Sequence, residues 1–455
     1  MDLLQKNQDV VLRIDSLGSE GQGVGRYEGI VVFVNGALPS ELVRVHIIKR
    51  TSGYAVGKCM EIIESAKDRI VPKCPVFERC GGCTLQHLDY EAQLESKHKM
   101  VYDSLEHIGG IKNARELTKP IIGMKDPWRY RNKAAFPASQ ERGEVEFGLF
   151  AARSHSLIPI NDCAIQDEQA VRAMRAVRYW ATSNRVSAYD ERANEGVLRH
   201  VVVRTTAQKK VMVIVVTSGA LPAQEELVKQ LHKHVEGLAS VIHNINKNRT
   251  NVIFGTAFRT IEGEDTIEDT LCGMTFEISA QSFYQVNPTQ AEILYNEAIC
   301  IANPKKNEIA IDAYCGIGTI TLALAKQVKK VIGIEIVPEA VADAQKNAVR
   351  NKVDNVEFIC GPVEVEFEAL LATGVQPDLL MLDPPRKGCD EALIKAVIKS
   401  RIPRIVYISC NPSTLARDIK LLTAGGFTLE SAQPVDMFCH TPHVESIVLL
   451  QKKNS

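Results

Sequence analysis

Hydrophobic and polar positions alternate in short runs near the N-terminus. Residues 10–15, 30–34, 41–50 and 55–63 each read as a strand, because a period of two buries one face of an extended chain. Gly18, Gly21, Gly23 and Gly25 punctuate tight turns after the first run. Short strands, glycine turns and no helical period predict a small closed barrel, related in shape to OB-folds. Residues 89–105 then turn helical, with Tyr90, Leu94, Val101 and Leu105 spaced for one face. Strands over 145–159, 196–205 and 210–217 and helices over 171–182 and 222–234 predict an α+β segment. The polar stretch 243–249 reads as a loop or an exposed strand.

Beyond residue 276 the strands lose their alternation and become nearly continuous apolar runs: 308–312, 330–335, 356–359, 377–383 and 404–408. Strands buried on both faces, alternating with helical stretches, predict an α/β doubly wound parallel sheet. The expected organisation is therefore a barrel over 1–65, a middle domain over 66–275 and an α/β domain over 276–455. In such sheets ligands bind at the carboxyl ends of the strands. Cys410, in Ser409-Cys410-Asn411-Pro412, stands at one such end, and a thiol there is a candidate nucleophile rather than a small buried hydrophobe.

Composition narrows the setting. The chain has 455 residues, 45% hydrophobic and 24% charged, with a formal net charge of -1. No global basic field exists, so any surface for nucleic acid must be local. Arg44, Lys49 and Arg50 are the barrel's candidates. Twelve scattered cysteines do not form a secreted disulfide framework. Met1 to Lys6 lacks the pattern of a signal peptide, and no run approaches the roughly 18 apolar residues of a membrane span. A cytoplasmic setting is expected, where clustered cysteines suggest metal or catalysis.

One cluster is dense: Cys74, Cys80 and Cys83, with Gly81 and Gly82 allowing a tight turn between ligands. Cys163 supplies a plausible fourth thiolate. Zinc and an iron–sulfur cluster both accept four thiolates. Further on, Trp128 and Tyr130 interleave with Arg129, Arg131 and Lys133, a pattern that suits base stacking and phosphate neutralisation or, equally, a solvated strand face.

The candidate chemistry lies in the last domain. Ala313-Tyr314-Cys315-Gly316-Ile317-Gly318-Thr319 joins a strand to a helix through G-x-G without the third glycine of a dinucleotide fingerprint. Glu335 ends the next strand, where an acid can bind both ribose hydroxyls of an adenosine. Asp383-Pro384-Pro385-Arg386 ends a later one. These features fit S-adenosyl-L-methionine better than a nicotinamide cofactor. Together with Ser282-Phe283-Tyr284-Gln285-Val286-Asn287, the Cys410 tetrapeptide and His443-Val444-Glu445-Ser446, they resemble the RNA uracil-5-methyltransferase family over nearly the entire chain. The barrel resembles a TRAM domain, and the cysteine pattern resembles the [4Fe–4S] site of the bacterial 23S ribosomal-RNA branch.

That resemblance implies roles residue by residue. Gln285, Tyr314, Glu335 and Asp383 would bind the cofactor. Phe283, Asp383 and Arg386 would meet the substrate. Cys74, Cys80, Cys83 and Cys163 would hold the cluster. Cys410 would be the nucleophile and Glu445 the base, with His443 and Glu445 on one face of a strand. Gly361-Pro362 departs from the pattern, leaving no side-chain ligand for the adenine edge. The partner implied is 23S ribosomal RNA, with no membrane and no obligate protein partner. Three other readings compete: transfer-RNA uracil-5-methylation, amino-group methylation through Asp383-Pro384-Pro385-Arg386, and a non-catalytic RNA-binding or assembly factor.

Overall fold

In the computed structural model, which describes residues 4–141 and 143–453, the N-terminal alternation closes into a barrel. Its strands are β1 (Asp9–Leu17), β2 (Gly23–Tyr27), β3 (Ile30–Asn35), β4 (Leu42–Arg50) and β5 (Tyr54–Glu64), in the order β1-β2-β3-β5-β4, with β1 and β4 closing the ring. The glycine stretch expected only to turn also supplies β2. A Cβ on Gly25 would stand 2.3 Å from the Arg13 carbonyl oxygen, so the close approach of β1 requires glycine there. Inward Val32, Val34, Val43, Val45 and Ile47 fill the barrel. On its outer surface Arg44 meets Glu61 at 2.8 Å and Arg13 meets Glu64 at 2.6 Å.

Helix α1 (Tyr90–His107) begins where Asp89 accepts a hydrogen bond from the Glu91 N–H, and α2 (Ala114–Leu117) follows. Strands β6 (Lys133–Glu141), β7 (Glu144–Phe150), β8 (Leu157–Pro159), β9 (Leu198–Thr205), β10 (Val211–Thr217), β11 (Leu238–Ile245) and β12 (Ala257–Gly263) form one sheet in the order β12-β11-β10-β9-β6-β7-β8. Helices α3 (Glu168–Ser183) and α4 (Gln224–His234) pack on one face, around Trp180 and Phe136.

Two expectations are corrected here. Residues 145–159 are two strands, not one, because the chain turns back through Arg153 at φ 57°. The polar stretch 243–249 begins inside β11, and its residues His243, Asn244 and Asn246 are buried. Their partners are close: the His243 ring meets the Thr217 hydroxyl at 2.7 Å, Asn244 donates to the Gly255 and Ala257 carbonyls, and Asn246 donates to those of Val252 and Ile253.

After the hairpin β13 (Thr266–Leu271) and β14 (Met274–Ser279) come α5 (Pro288–Ala302), β15 (Ile309–Ala313), α6 (Thr319–Ala325), β16 (Lys330–Glu335), α7 (Pro338–Arg350), β17 (Val356–Cys360), α8 (Val363–Ala372), β18 (Leu379–Leu382), α9 (Glu391–Lys399), β19 (Arg404–Ser409), α10 (Pro412–Ala424), β20 (Phe427–Val435) and β21 (Glu445–Lys452). The sheet order is β17-β16-β15-β18-β19-β21-β20; β21 runs antiparallel between β19 and β20. The strands diverge in order on either side of β15 and β18, so the loops after those two open a crevice at their carboxyl ends. One face of the sheet shares a core with α5, the hairpin and the middle sheet, and the other is covered by α1 and α8 to α10.

The strap between β20 and β21 binds the three parts together. Lys97 of α1 is buried 2.5 Å from Asp436, which also accepts from the Tyr90 hydroxyl at 2.8 Å. Thr84 and Leu85, just after the last loop cysteine, both donate their N–H groups to the His440 carbonyl, at 2.9 and 3.0 Å. Trp128 stacks on the His440 ring at 3.9 Å. His443 and Val444 precede β21 rather than belonging to it, which corrects the expected strand: the His443 N–H turns to the Thr441 hydroxyl instead of joining the ladder.

Candidate active site

Strand β19 is an apolar run buried to its end at Ser409, and Pro412 at the first turn of α10 stops the chain from continuing as strand. Cys410 occupies the step between them. Ser409 pairs with Ser446 at the end of the antiparallel ladder, so Cys410, one residue past β19, and Glu445, the first residue of β21, both adjoin that last pair. Glu445 is buried at the first position of β21, and burial together with the nearby Asp383 charge pushes its carboxyl up to about 8. Arg386 pulls it the other way without forming an ion pair. Burial, Glu445 and Asp383 raise the Cys410 thiol, against the lowering effect of Arg386. Arg386 is exposed, approaches the His443 ring at 3.4 Å, and has its carbonyl held by Asn411 and Thr414. Cys410, Glu445, Asp383 and Arg386 thus form one electrostatic group at the carboxyl ends of β18 and β19 and the amino end of β21.

Asp383 follows β18. It keeps some exposed surface, yet dense packing around it and the charge of Asp312 raise its carboxyl to about 7. Tyr295, buried on α5, lies between these parts: Gln285 donates to its hydroxyl at 3.2 Å, and Thr319, Asp383 and Glu445 surround it. Tyr295 was not among the residues singled out from the sequence, since Ala291, Leu294 and Ala298 around it give it the look of a core helix tyrosine. Phe283, in the loop just before Gln285, is 74% exposed.

The glycine loop lies across the crevice. Gly316 and Gly318 take φ of 55° and 84°, conformations that favour glycine, and Tyr314 between strand and loop takes 69°. The two Glu335 carboxylate oxygens accept from the N–H groups of Gly316 and Val337, at 3.0 and 2.9 Å, leaving each oxygen free to accept again. Ile336, 59% exposed beside it, offers an apolar surface that the sequence reading missed. Asp312 is buried, takes the Thr321 hydroxyl on one oxygen, leaves the other unpartnered and is pushed up to about 7 by burial. The Tyr314 side chain lies near Cys389, Glu364 and Asp390 instead of the Asp383 group.

The four expected metal-ligating cysteines are all free thiols. Burial pushes the Cys83 thiol up to about 12, and the charges of Cys163, Cys80 and Cys74 all act on it. As placed, no three His, Cys, Asp or Glu side chains among the described residues form the compact group that holds a metal ion.

Comparison with known proteins decides what this crevice belongs to. The family described as tRNA (uracil-5-)-methyltransferase matches residues 89–453, and the TRAM domain matches residues 5–60. The chain belongs to the RNA uracil-5-methyltransferase family. An uncharacterized RNA methyltransferase of Halalkalibacterium halodurans is 44% identical over 99% of this chain and 98% of its own length. Another, from Clostridium tetani, is 43% identical over 98% and 97%. The crystal structure of Pyrococcus abyssi tRNA (uracil-54, C5)-methyltransferase in complex with S-adenosyl-L-homocysteine superposes with a TM-score of 0.77 at 26% identity, over 97% of this chain and all (100%) of that one. This member of the uracil-5-methyltransferase family is therefore an RNA-methylating enzyme with a TRAM barrel at its N-terminus. No helix among the described residues is long and apolar enough to cross a membrane.

Proposed function

We propose that the protein transfers a methyl group from S-adenosyl-L-methionine to carbon 5 of a uridine in 23S ribosomal RNA, in the cytoplasm. The observation that carries the chemistry is the juxtaposition of Cys410, just past β19, with Glu445, first in β21, whose charge acts on the Cys410 thiol. Carbon 5 of uracil is a weak nucleophile. A Cys410 thiolate adding at carbon 6 makes the ring an enolate, and carbon 5 then displaces the methyl group from the sulfonium, releasing the thioether. Glu445 takes the carbon 5 proton, and the carbon 6–sulfur bond breaks to return the thiolate. Arg386 favours the thiolate form of Cys410 and the ionised form of Glu445 by its charge. The cofactor's adenosine is assigned to Glu335 and the glycine loop with Tyr314 at its start, and its methionine end to the Gln285 and Asp383 side. Phe283 and Asp383 would meet the uracil, which must leave any stack to reach the thiol.

The ribosomal choice rests on the barrel and the four cysteines, which accompany the 23S branch that the sequence resembles. Cys74, Cys80, Cys83 and Cys163 are assigned a [4Fe–4S] centre. Four thiolates suit either zinc or an iron–sulfur cluster, and the choice of iron–sulfur rests on the resemblance to the 23S branch. Iron and sulfide analysis of anaerobically purified protein tests it; stoichiometric zinc without iron refutes it. The matched family's name and the Pyrococcus abyssi enzyme favour transfer RNA as the second reading. Incubation with methyl-labelled cofactor and separated ribosomal and transfer RNAs, followed by nucleoside mapping, decides between them. Label only in transfer RNA overturns the ribosomal assignment.

A further inference from the structure

The middle sheet turns one face toward the catalytic sheet, and that face carries positive charge without a counter-charge. Lys133 on β6 stands directly across from Arg204 on β9, and Arg131 lies two residues before Lys133. Of the cations in the Trp128 segment, Arg129 is already committed, with two bonds to Asp162 at 2.8 and 2.7 Å. Arg131 and Lys133 are half-buried, and among the described residues neither forms an ion pair. Burial and the two neighbouring guanidinium charges bring the Lys133 amine down to about 8. Arg204 is 3% exposed; it donates to the Ala280 and Ser282 carbonyls, and its Nε has no partner.

These residues lie against the loop that leads into the active site. The Asn132 side chain donates to the Gln285 carbonyl at 3.0 Å and its N–H to that of Val286 at 2.9 Å. Gln285 reaches Tyr295, which neighbours Asp383 and Glu445, while exposed Phe283 stands between Ser282 and that contact. Half-buried cations that repel one another are costly unless an anion arrives to balance them. A polynucleotide held with one base turned out toward Cys410 must have its backbone gripped close by, and its phosphates carry the missing charge.

We propose that Arg131, Lys133 and Arg204 form a phosphate-binding cleft that grips the RNA backbone beside the target uridine. This rests on the assignment of the reacting uridine to Cys410. Its test is binding, so it does not depend on turnover. Full-length protein with Lys133→Gln, with Arg131→Gln and Lys133→Gln together, and with Lys133→Arg is titrated with a single-stranded uridine-containing RNA oligonucleotide across a series of salt concentrations. Arg204 is left intact because it holds the loop. Each lost contact should lower the slope of log K against log salt by about 0.7, as expected for single strands, with the double variant binding RNA at least ~10-fold more weakly in low salt. Lys133→Arg should keep the wild-type slope. Thermal unfolding should show the Gln variants at least as stable as wild type, because they relieve repulsion, whereas a purely structural lysine would lose stability.

Cofactor affinity should be unchanged in every variant. An unchanged RNA affinity and salt slope overturns the cleft. So does a loss confined to cofactor binding, which would assign the cations to the methionine carboxylate. If wild type bound RNA with the expected slope yet methylated no uridine, the reaction assignment would fail while the cleft stood.

Discussion

Two buried carboxylates stand nine residues apart at the two ends of one strap, and they are treated in opposite ways. Asp436, after β20, is fully buried and meets Lys97 at 2.5 Å and the Tyr90 hydroxyl at 2.8 Å. Glu445, at the start of β21, is also buried, but its charged neighbours are Asp383, which repels it, and Arg386, which stays exposed and unpaired. A buried acid with a cation in contact keeps its charge and fixes geometry. A buried acid without one is pushed toward neutrality and can exchange a proton near neutral pH. Residue type and burial do not separate the two roles; the partner does. The same contrast divides Arg129, locked to Asp162, from Lys133 with no carboxylate.

The sharpest way to break the contrast is at Cys410, the proposed nucleophile beside the Glu445 end. Cys410→Ala should abolish uracil methylation and any covalent RNA adduct while leaving cofactor binding and unfolding midpoint unchanged; normal turnover would end the covalent mechanism. Glu445→Gln should slow turnover by roughly 10²–10⁴-fold, the usual worth of a general base, and leave a denaturation-resistant protein–RNA band carrying the methyl label. Absence of that band at the wild-type rate would make His443 the next base to test. At the other end, Lys97→Met should cost about 3–5 kcal/mol in chemical denaturation, because it strands a buried carboxylate, and adding Asp436→Leu should return much of the loss. An additive double variant would remove the pair's structural role.

The smallest effect concerns pH. Because the Glu445 carboxyl is raised from 4.5 to about 8, the folded protein holds a proton there that the unfolded chain releases. Its contribution to stability should therefore be lost as pH rises from about 4.5 toward about 8 and be flat above. Glu445→Gln should flatten that slope in denaturation midpoints taken across the range. Turnover should move the other way, rising with pH as Glu445 ionises, and Arg386→Met should shift that rise to higher pH because it removes the charge that favours both ionised forms.

Much of this was legible in the chain because it is local. The strands of the C-terminal sheet are continuous apolar runs, and Cys410, Glu335 and Asp383 each sit at the end of one. Glu445 was legible through its motif, but His443 was misplaced beside it: three residues of alternating polarity read as strand, while the Thr441 hydroxyl takes the His443 N–H out of the ladder. Tyr295 and Lys97 were not legible. Their partners are distant in sequence, and helical spacing shows only that each lies on a helix. Buried His243 and Asn244 misled for the same reason, since a loop more than ten residues on satisfies Asn244.

The strap also sets a timetable. Lys97 and Asp436 are 339 residues apart, so a growing chain completes α1 long before its counter-charge exists. Strand β21 is the last to be synthesised, yet it is inserted between β19 and β20 and delivers Glu445 to a Cys410 already made. A chain halted before residue 445 would hold Cys410 without Glu445. Cys410 and Glu445 therefore come together only after the last of the described strands has emerged and threaded into the sheet between β19 and β20.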